Sequence, residues 1–174
     1  PFLDDKFLAK IHSKIIIPTV NGIIKEKMSY NGFVFIGLIK VKDEPYVIEY
    51  NVRMGDPETE VVFPRLNNDI LELLDSMGTP KFNDIKLSIN DNYAATVILV
   101  SGGYPESYQK GKTITGLNYL SNDLVFHAGT IKKENTFITN GGRVLAVTSM
   151  ARDFKKALKN SYSKIDKINF DGMN

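Results

Sequence analysis

The 174-residue chain contains no cysteine and no tryptophan, and it has only 2 histidines. Without cysteine it can form neither a disulfide nor a metal site with thiolate ligands, which is typical of a cytoplasmic protein. Its net charge of +2 gives no basic excess of the kind that nucleic-acid binding requires. No apolar run reaches the length of a membrane span, so neither a nucleic acid nor a membrane is expected as a partner.

The remaining composition is that of an ordinary globular protein, with 43% hydrophobic and 24% charged residues. A chain of this length accommodates one domain or two small ones. The first residues, Pro1 to Asp5, include neither an initiator methionine nor the basic and apolar regions of a signal peptide.

The first half of the chain shows helical and strand patterns in turn. Apolar residues at three- and four-residue spacing predict a helix over residues 4–27, which Pro18 should break or kink, giving two helical pieces around that point. Residues 33–39 are continuously apolar and predict a strand buried on both faces. The turn at residues 43–45 predicts an antiparallel hairpin with the next strand, after which Asp56 should cap a helix with Pro57 at its first position.

A second helix is expected from about Asn68, with Ile70, Leu71, Leu73 and Leu74 on its buried side. Beyond residue 93 the pattern changes to short apolar strands separated by turns rich in Gly, Asn and Lys, which predicts a small antiparallel sheet or partial barrel. The chain should end in an amphipathic helix over residues 152–167. The predicted strands cover residues 94–100, 112–115, 124–129, 136–139 and 143–149.

Three polar residues follow the apolar run Tyr46–Ile48 at every second position: Glu49, Asn51 and Arg53. Side chains alternate along a strand, so the three should share one face. A carboxylate and an amide carbonyl are oxygen ligands of the kind that Mg²⁺ takes together with phosphates. A guanidinium binds phosphate or carboxylate with two parallel hydrogen bonds. A polar row of this kind is also typical of a solvated strand face, and the residues alone leave both interpretations open.

The order of the residues around Glu49, Asn51 and Arg53 helps to distinguish between these two interpretations. The stretch Glu49–Arg53 resembles the Glu-x-Asn-x-Arg strand of the ATP-grasp ligases. The continuation Gly55–Glu58, Gly-Asp-Pro-Glu, is similar to the glycinamide ribonucleotide synthetase (phosphoribosylamine–glycine ligase) family. Further stretches that resemble this family, in the same order, are Ile17–Val20, Tyr30–Phe33, Ser101–Pro105 and Asn169–Met173. The resemblance covers nearly the whole chain but only the carboxy-terminal part of the family enzyme, which predicts a fragment.

The resemblance implies an α+β fold. Residues 1–93 would form the carboxy-terminal half of an ATP-grasp domain, an antiparallel sheet with helices, and residues 94–174 a small β-rich domain with a terminal helix. The implied parent is an ATP-dependent carbon–nitrogen ligase of purine biosynthesis that joins glycine to 5-phosphoribosylamine through glycyl phosphate, with ATP as co-substrate and Mg²⁺ or Mn²⁺ as cofactor. Its amino-terminal part would be a further partner, and without it we expect the chain to be inactive.

The resemblance also implies roles for individual residues. These are Glu49 and Asn51 for the metal, Arg53 and Asp56 for catalysis, Gly55 and Asp56 for glycine or the ribosylamine, and Ile39 for the apolar floor beneath adenine. For Ile39, simple core packing is the alternative. Many ATP-grasp enzymes place a second acidic metal ligand about twelve residues before the glutamate, where this chain has Gly37, so the number of metal ions stays open.

A second hypothesis comes from another functional class: a non-catalytic interaction module that retains the ATP-grasp half-fold. A different ATP-grasp ligase, such as a biotin-dependent carboxylase, is a third. It should carry other residues after Arg53 than Gly-Asp-Pro-Glu, so the sequence argues against it.

Overall fold

The computed structural model describes residues 3–174, and the chain divides into two compact units. The first unit consists of the residues up to Gly55 together with Leu71–Ile85. The second consists of Asp56–Ile70 and Lys86–Asn174. The predicted domains, residues 1–93 and 94–174, stay a prediction, and the first two residues of the former lie outside the described part.

The first unit begins with a helical run in three segments: α1 (Asp5–Ile11), a π-helical turn (His12–Ile16) and α2 (Ile17–Lys25). The predicted division into helical pieces around Pro18 agrees with this segmentation, because α2 begins at Ile17 with the proline in its first turn, although the run as a whole continues through this residue. Proline lacks the amide hydrogen that an α-helix needs. The wider π-helical turn ends two residues before Pro18, so the proline falls where the hydrogen-bond pattern of the helix already changes.

The buried stripe of this run follows the predicted spacing. The Asp4 carboxylate accepts a hydrogen bond of 2.7 Å from the Phe7 amide and caps α1. Phe7, Ile11 and Ile15 recur every four residues and are buried. By length and composition the 21 residues Asp5–Lys25 are sufficient to cross a membrane, contrary to the expectation from the sequence. One such helix is weak evidence for a membrane segment, because core helices and signal sequences have the same length and composition.

The strands β1 (Phe35–Val41) and β2 (Glu44–Asn51) form an antiparallel hairpin, as predicted. Gly37 pairs with Glu49. The register shifts by one residue immediately after Gly37, because Ile48 is an additional residue in β2 without a partner in β1. This irregularity is a β-bulge, which bends a strand and re-aims the side chains beside it.

The hairpin is packed on one face only. The Lys40 ammonium lies 4.6 Å from the centre of the Phe7 ring, so this face of β1 meets the helical run. Ile39, whose side chain alternates with that of Lys40, is 49% exposed. The prediction that β1 is buried on both faces is therefore wrong. A two-stranded sheet beneath one helical layer leaves its second face uncovered.

Ion pairs connect the helical run to the hairpin turn. Lys10 lies 3.5 Å from the Asp43 carboxylate and 3.1 Å from that of Glu44, which also pairs with Lys14. Lys40 approaches Asp43 to 3.1 Å. These contacts lower the pKa of both acids, chiefly through the hydrogen bond from Lys40 to Asp43 and the one from Lys14 to Glu44.

The helix after β2 begins later than predicted. It is α3 (Thr59–Val62), with Glu58 as its N-cap. Asp56 is therefore not a helix cap and Pro57 is not a helical residue; both belong to the preceding turn. The physical reason lies in the Asp56 side chain, which is held by an arginine from a distant strand instead of by the amides of a first helical turn.

The second predicted helix exists as α4 (Ile70–Ser76) but buries less than expected. Leu73 and Ser76, three residues apart, face inward. Leu71 is 73% exposed and Leu74 is also exposed, contrary to the prediction. A helix of about two turns presents only one narrow side to its neighbours.

The second unit contains two three-stranded antiparallel sheets. Its strands are β3 (Tyr93–Val100), β4 (Thr113–Ile114), β5 (Leu124–His127), β6 (Thr130–Lys133), β7 (Thr136–Thr139) and β8 (Arg143–Ala151). The strand order is β3–β8–β5 in one sheet and β4–β7–β6 in the other. The strand β6 was not predicted, because its sequence Thr-Ile-Lys-Lys has the composition of the neighbouring turns.

The terminal helix, α5 (Phe154–Ile165), is shorter than predicted and begins after an Asp153 cap. Its buried positions Ala157, Ser161 and Ile165 recur every four residues, whereas Tyr162 is exposed. The buried apolar core of this unit consists of Leu99, Ile114, Leu120, Val144, Leu145, Val147, Ile165, Ile168 and Phe170.

Candidate functional site

Glu49 and Asn51 are in direct contact at the end of β2. The Asn51 Nδ2 atom donates a hydrogen bond of 3.0 Å to Glu49 Oε1. The contact places both side chains on the same side of the strand, in agreement with the alternation of side chains. Glu49 is exposed and Asn51 is half-buried, so the pair is accessible at the surface of the hairpin.

This pair presents a carboxylate and an amide carbonyl, the oxygen ligands that hard divalent cations prefer. Among residues 3–174, no group of three or more His, Cys, Asp or Glu side chains is placed to hold a metal. A cation at Glu49 and Asn51 would therefore take its other ligands from outside the pair, such as phosphate oxygens and water. Gly37, directly across from Glu49, has no side chain to contribute.

Arg53 lies beyond the regular strand. β2 ends at Asn51, and the chain bends at residues 52–53. The Arg53 Nη1 atom donates to the neighbouring Met54 carbonyl at 3.3 Å, and the side chain is exposed. Among the contacts of the described residues, none joins the guanidinium to Glu49 or Asn51. The alternation that predicts a shared face for Arg53 therefore stops two residues before it.

Ile39 lies on the same face of the hairpin as Glu49. It follows Gly37 by two residues along β1, and Gly37 is the partner of Glu49. Its own partner in β2 is Tyr46, which is also exposed. The structure thus presents an accessible apolar surface beside the carboxylate and amide pair, and not a position enclosed in a core.

The two residues predicted to contact substrate differ in their surroundings. Gly55 is buried and belongs to the first unit, whereas Asp56 is exposed and begins the second. The Asp56 carboxylate accepts hydrogen bonds of 3.1 Å from both Nη1 and Nη2 of Arg143. The Asp56 carbonyl accepts a further bond of 2.9 Å from Nη1. This two-pronged contact fixes the orientation of the Asp56 carboxylate.

Arg143 was not among the residues predicted for the site. It is the first residue of β8 and directly follows Gly141 and Gly142. A cationic residue at the start of a strand that is otherwise apolar is the signal that could have drawn attention to it. The nearby Ser101 ties the loop after β3 to the same region, because its Oγ donates to the Gly141 carbonyl at 2.9 Å.

Family models match two parts of the chain. The phosphoribosylglycinamide synthetase ATP-grasp (A) domain matches residues 1–59, and the C domain of the same synthetase matches residues 94–174. The chain belongs to the phosphoribosylglycinamide synthetase family. The predicted α+β, ATP-grasp fold is confirmed by this membership and by the structural likeness below.

Curated relatives and a solved structure agree with the family. The phosphoribosylamine–glycine ligase of Caldanaerobacter subterraneus is 39% identical over 173 residues, which are 99% of this chain and 42% of the relative. That of Halalkalibacterium halodurans is 40% identical over 99% of this chain and 40% of its own length. The crystal structure of the Thermotoga maritima ligase matches with a TM-score of 0.84 and 31% identity, over 100% of this chain and 43% of that one. The chain thus spans about two-fifths of these proteins.

A cavity in the second unit contains none of the residues that the family resemblance assigns to a site. It measures about 700 Å³, and its lining includes Leu117, His127 and Phe137. The His127 ring packs against that of Phe137 at a centroid distance of 4.4 Å, and its Nδ1 lies 2.9 Å from Thr130 Oγ1. Burial lowers the pKa of His127. His127 is exposed, and these two contacts account for the position of its ring.

Proposed function

We propose that the chain is the carboxy-terminal part of the ligase that joins 5-phosphoribosylamine and glycine to glycinamide ribonucleotide, with ATP converted to ADP and phosphate in purine biosynthesis. The observation that carries this proposal is the contact between Glu49 and Asn51 on the accessible face of the hairpin, in a chain of this family. A purely solvated strand face does not require an acid and an amide aligned side by side.

Glu49 and Asn51 are the proposed ligands of Mg²⁺ or Mn²⁺. Glu49 Oε2 and Asn51 Oδ1 remain available after the hydrogen bond between the two side chains, which fits a cation that takes one or two protein oxygens and completes its shell with phosphates and water. When bound, the cation offsets the negative charge of the phosphoryl groups. Glu49 and Asn51 contribute only one carboxylate between them, which suits a site where phosphates supply most of the negative charge around the cation.

Arg53 is proposed to stabilise charge during the reaction. The γ-phosphoryl group of ATP passes to the glycine carboxylate, giving ADP and glycyl phosphate; the ribosylamine nitrogen then attacks the glycyl carbonyl and phosphate leaves. Both phosphoryl donor and acceptor are anions, so a cationic donor lowers the cost of their approach. A guanidinium carries five N–H donors, and that of Arg53 is exposed and donates through Nη1 to a backbone carbonyl at 3.3 Å.

Asp56 is proposed to receive an amine of glycine or of the ribosylamine. Its carboxylate is oriented by Arg143 but still has lone pairs for a further donor, and it is exposed. Gly55, which is buried, is proposed to contribute through its backbone. Ile39 is the proposed apolar contact of the adenine ring, supported by its position on the face that carries Glu49.

The first unit exposes an apolar surface beside the hairpin. A groove of about 500 Å³ between α2 and the hairpin is lined by Ile23, Met28, Tyr50 and Val52. We propose that the amino-terminal part of the ligase, absent from this chain, packs on this surface and supplies the rest of the nucleotide site. The isolated chain should therefore release no phosphate in the presence of glycine, ribosylamine and ATP-Mg²⁺. We also propose that the protein is located in the cytoplasm, in agreement with a role in purine biosynthesis.

The test uses a full-length ligase in which this chain replaces the matching segment of the Caldanaerobacter relative. Glu49→Gln should lower kcat by about 10²–10³-fold, the size of a lost electrostatic contact. Glu134→Gln makes the same chemical change at an exposed turn and should leave the rate unchanged. If Glu49→Gln lowers only the unfolding midpoint, the non-catalytic interaction module is the better description.

A further inference from the structure

Gly37 occupies the position directly across the hairpin from the candidate metal ligand Glu49. A Cβ atom built on Gly37 would lie 3.0 Å from Glu49 Cγ. The backbone nitrogen and oxygen of Glu49 would be farther away, at 3.7 Å each. The Glu49 side chain therefore crosses the space that any other residue at position 37 would fill, and it is this side chain, not the backbone, that would have to move.

Conformational freedom does not explain a glycine at this position. Gly37 lies in β1 next to the β-bulge, and it is not among the glycines of the described residues with a positive φ. Inside a strand, glycine is less stable than alanine by about 0.5–1 kcal/mol. The space above Gly37 is thus the feature that distinguishes glycine from alanine here.

The Glu49 side chain, which occupies this space, is also oriented by a contact with the next residue on its face of β2. Glu49 Oε1 accepts the hydrogen bond from Asn51, which links the path of the Glu49 side chain to the second candidate ligand. The bulge at Ile48 immediately precedes Glu49, and bulges re-aim neighbouring side chains. Three local features, the bulge, the open space and the hydrogen bond, therefore set where the carboxylate lies.

We propose that Gly37 is a positioning residue for the metal pair: its missing side chain allows the Glu49 carboxylate to lie beside Asn51. The proposal rests on the proposed role of Glu49 and Asn51 as metal ligands. A side chain at position 37 would push Cγ of Glu49 away and separate the two ligands. The hairpin thereby uses one carboxylate and one amide, and it has no room for a second acid at this point of β1.

The test measures Mn²⁺ binding in the presence of ADP, by the loss of the free-Mn²⁺ electron paramagnetic resonance signal, in the full-length ligase carrying this chain. Gly37→Ala should weaken Mn²⁺ binding about 10-fold, the effect of disturbing a residue that orients a ligand. Its unfolding midpoint should be equal to or above that of the parent, because alanine is favoured over glycine in a strand. A merely structural role would change stability and leave Mn²⁺ affinity alone.

Two further variants distinguish a failure of the inference about Gly37 from a failure of the proposed metal site. In a Glu49→Ala background the Cγ atom is gone, so Gly37→Ala should have no additional effect on Mn²⁺ binding; an equal loss in both backgrounds would overturn the inference. Val41→Ala loosens the same strand far from Glu49 and should leave Mn²⁺ binding unchanged. If Glu49→Ala weakens binding but Gly37→Ala does not, only this inference fails. If Glu49→Ala has no effect on Mn²⁺ binding, the proposed metal site fails with it.

Discussion

Replacing Gly116 by alanine should disrupt the docking of the chain's last residues in the second unit. Gly116 has a φ of +88° and precedes the 3₁₀ turn Leu117–Leu120. A Cβ atom at this position would lie 1.8 Å from the carbonyl oxygen of Lys167. Contacts of Cβ below 3.0 Å essentially do not occur, so this carbonyl would have to move by more than an ångström.

The segment that follows Lys167 determines the cost of that movement. Thr115 and Asn169 exchange backbone hydrogen bonds of 2.9 and 3.2 Å, and Ile168 and Phe170 are each only 3% exposed. A left-handed conformation costs an alanine about 1–2 kcal/mol. A lost backbone hydrogen bond costs about 1 kcal/mol, and overpacking a core costs about 1–3 kcal/mol. The free energy of unfolding should therefore fall by about 3–6 kcal/mol, a large part of the 5–15 kcal/mol typical of folded proteins.

Gly111 provides the matched control. Its φ is +80°, but a Cβ atom there would have no heavy atom within 4 Å. Gly111→Ala should thus lower the free energy of unfolding only by the cost of a left-handed alanine, about 1–2 kcal/mol. Urea unfolding of the 174-residue chain, followed by circular dichroism and by the fluorescence of its 8 tyrosines, measures both variants. Equal losses in the two variants would refute the clash with Lys167.

Three other predictions concern stability. Arg143→Lys should lower the free energy of unfolding by less than about 1 kcal/mol, since its ion pair with Asp56 is partly exposed; a double-mutant cycle with Asp56→Asn measures the coupling. Because lysine contacts lower the pKa of Asp43 and Glu44, their carboxylates stabilise the fold above the ordinary values of 3.8 and 4.5, and this contribution is lost as the pH falls through the lower folded-state values. The thermal midpoint should therefore be level above about pH 5 and decline below about pH 4, which a calorimetric pH series detects. Leu145→Ala, at a residue with 0% exposure, should cost about 2–5 kcal/mol in urea unfolding.

These three predictions have separate controls. A coupling above about 2 kcal/mol between Arg143 and Asp56 would contradict the assignment of a screened surface pair. Lys14→Met removes the first partner of Glu44 and should flatten the acid-side decline of the thermal midpoint. Leu71→Ala, at a 73% exposed position, should change the free energy of unfolding by less than about 0.5 kcal/mol, in contrast to the loss at Leu145.

Sequence patterns were sufficient where the structure depends on near neighbours. The turn before β2 and the alternation along it predicted the hairpin and the shared side of Glu49 and Asn51, both of which are set within a few residues. The apolar spacing that buries Phe7, Ile11 and Ile15 is likewise local. The family resemblance added the ATP-grasp fold, which no periodicity in the chain indicates.

The errors occurred where distant contacts decide the outcome. Asp56 looks like a helix cap in its own neighbourhood, but its partner Arg143 is 87 residues away in the sequence. The apolar run of β1 resembles a doubly buried strand, because the sequence shows what a residue prefers and not how many layers are present to cover it.

The position of β8 has a consequence for variants selected for thermal tolerance. This strand lies between β3 and β5 in its sheet. Its first residue, Arg143, donates the hydrogen bonds that hold the Asp56 carboxylate. The rigidity of the sheet and the orientation of the Asp56 carboxylate thus both depend on β8. Libraries randomised along Val144–Val147 and sorted only for heat resistance would therefore also sort the variants for how firmly Arg143 holds the Asp56 carboxylate.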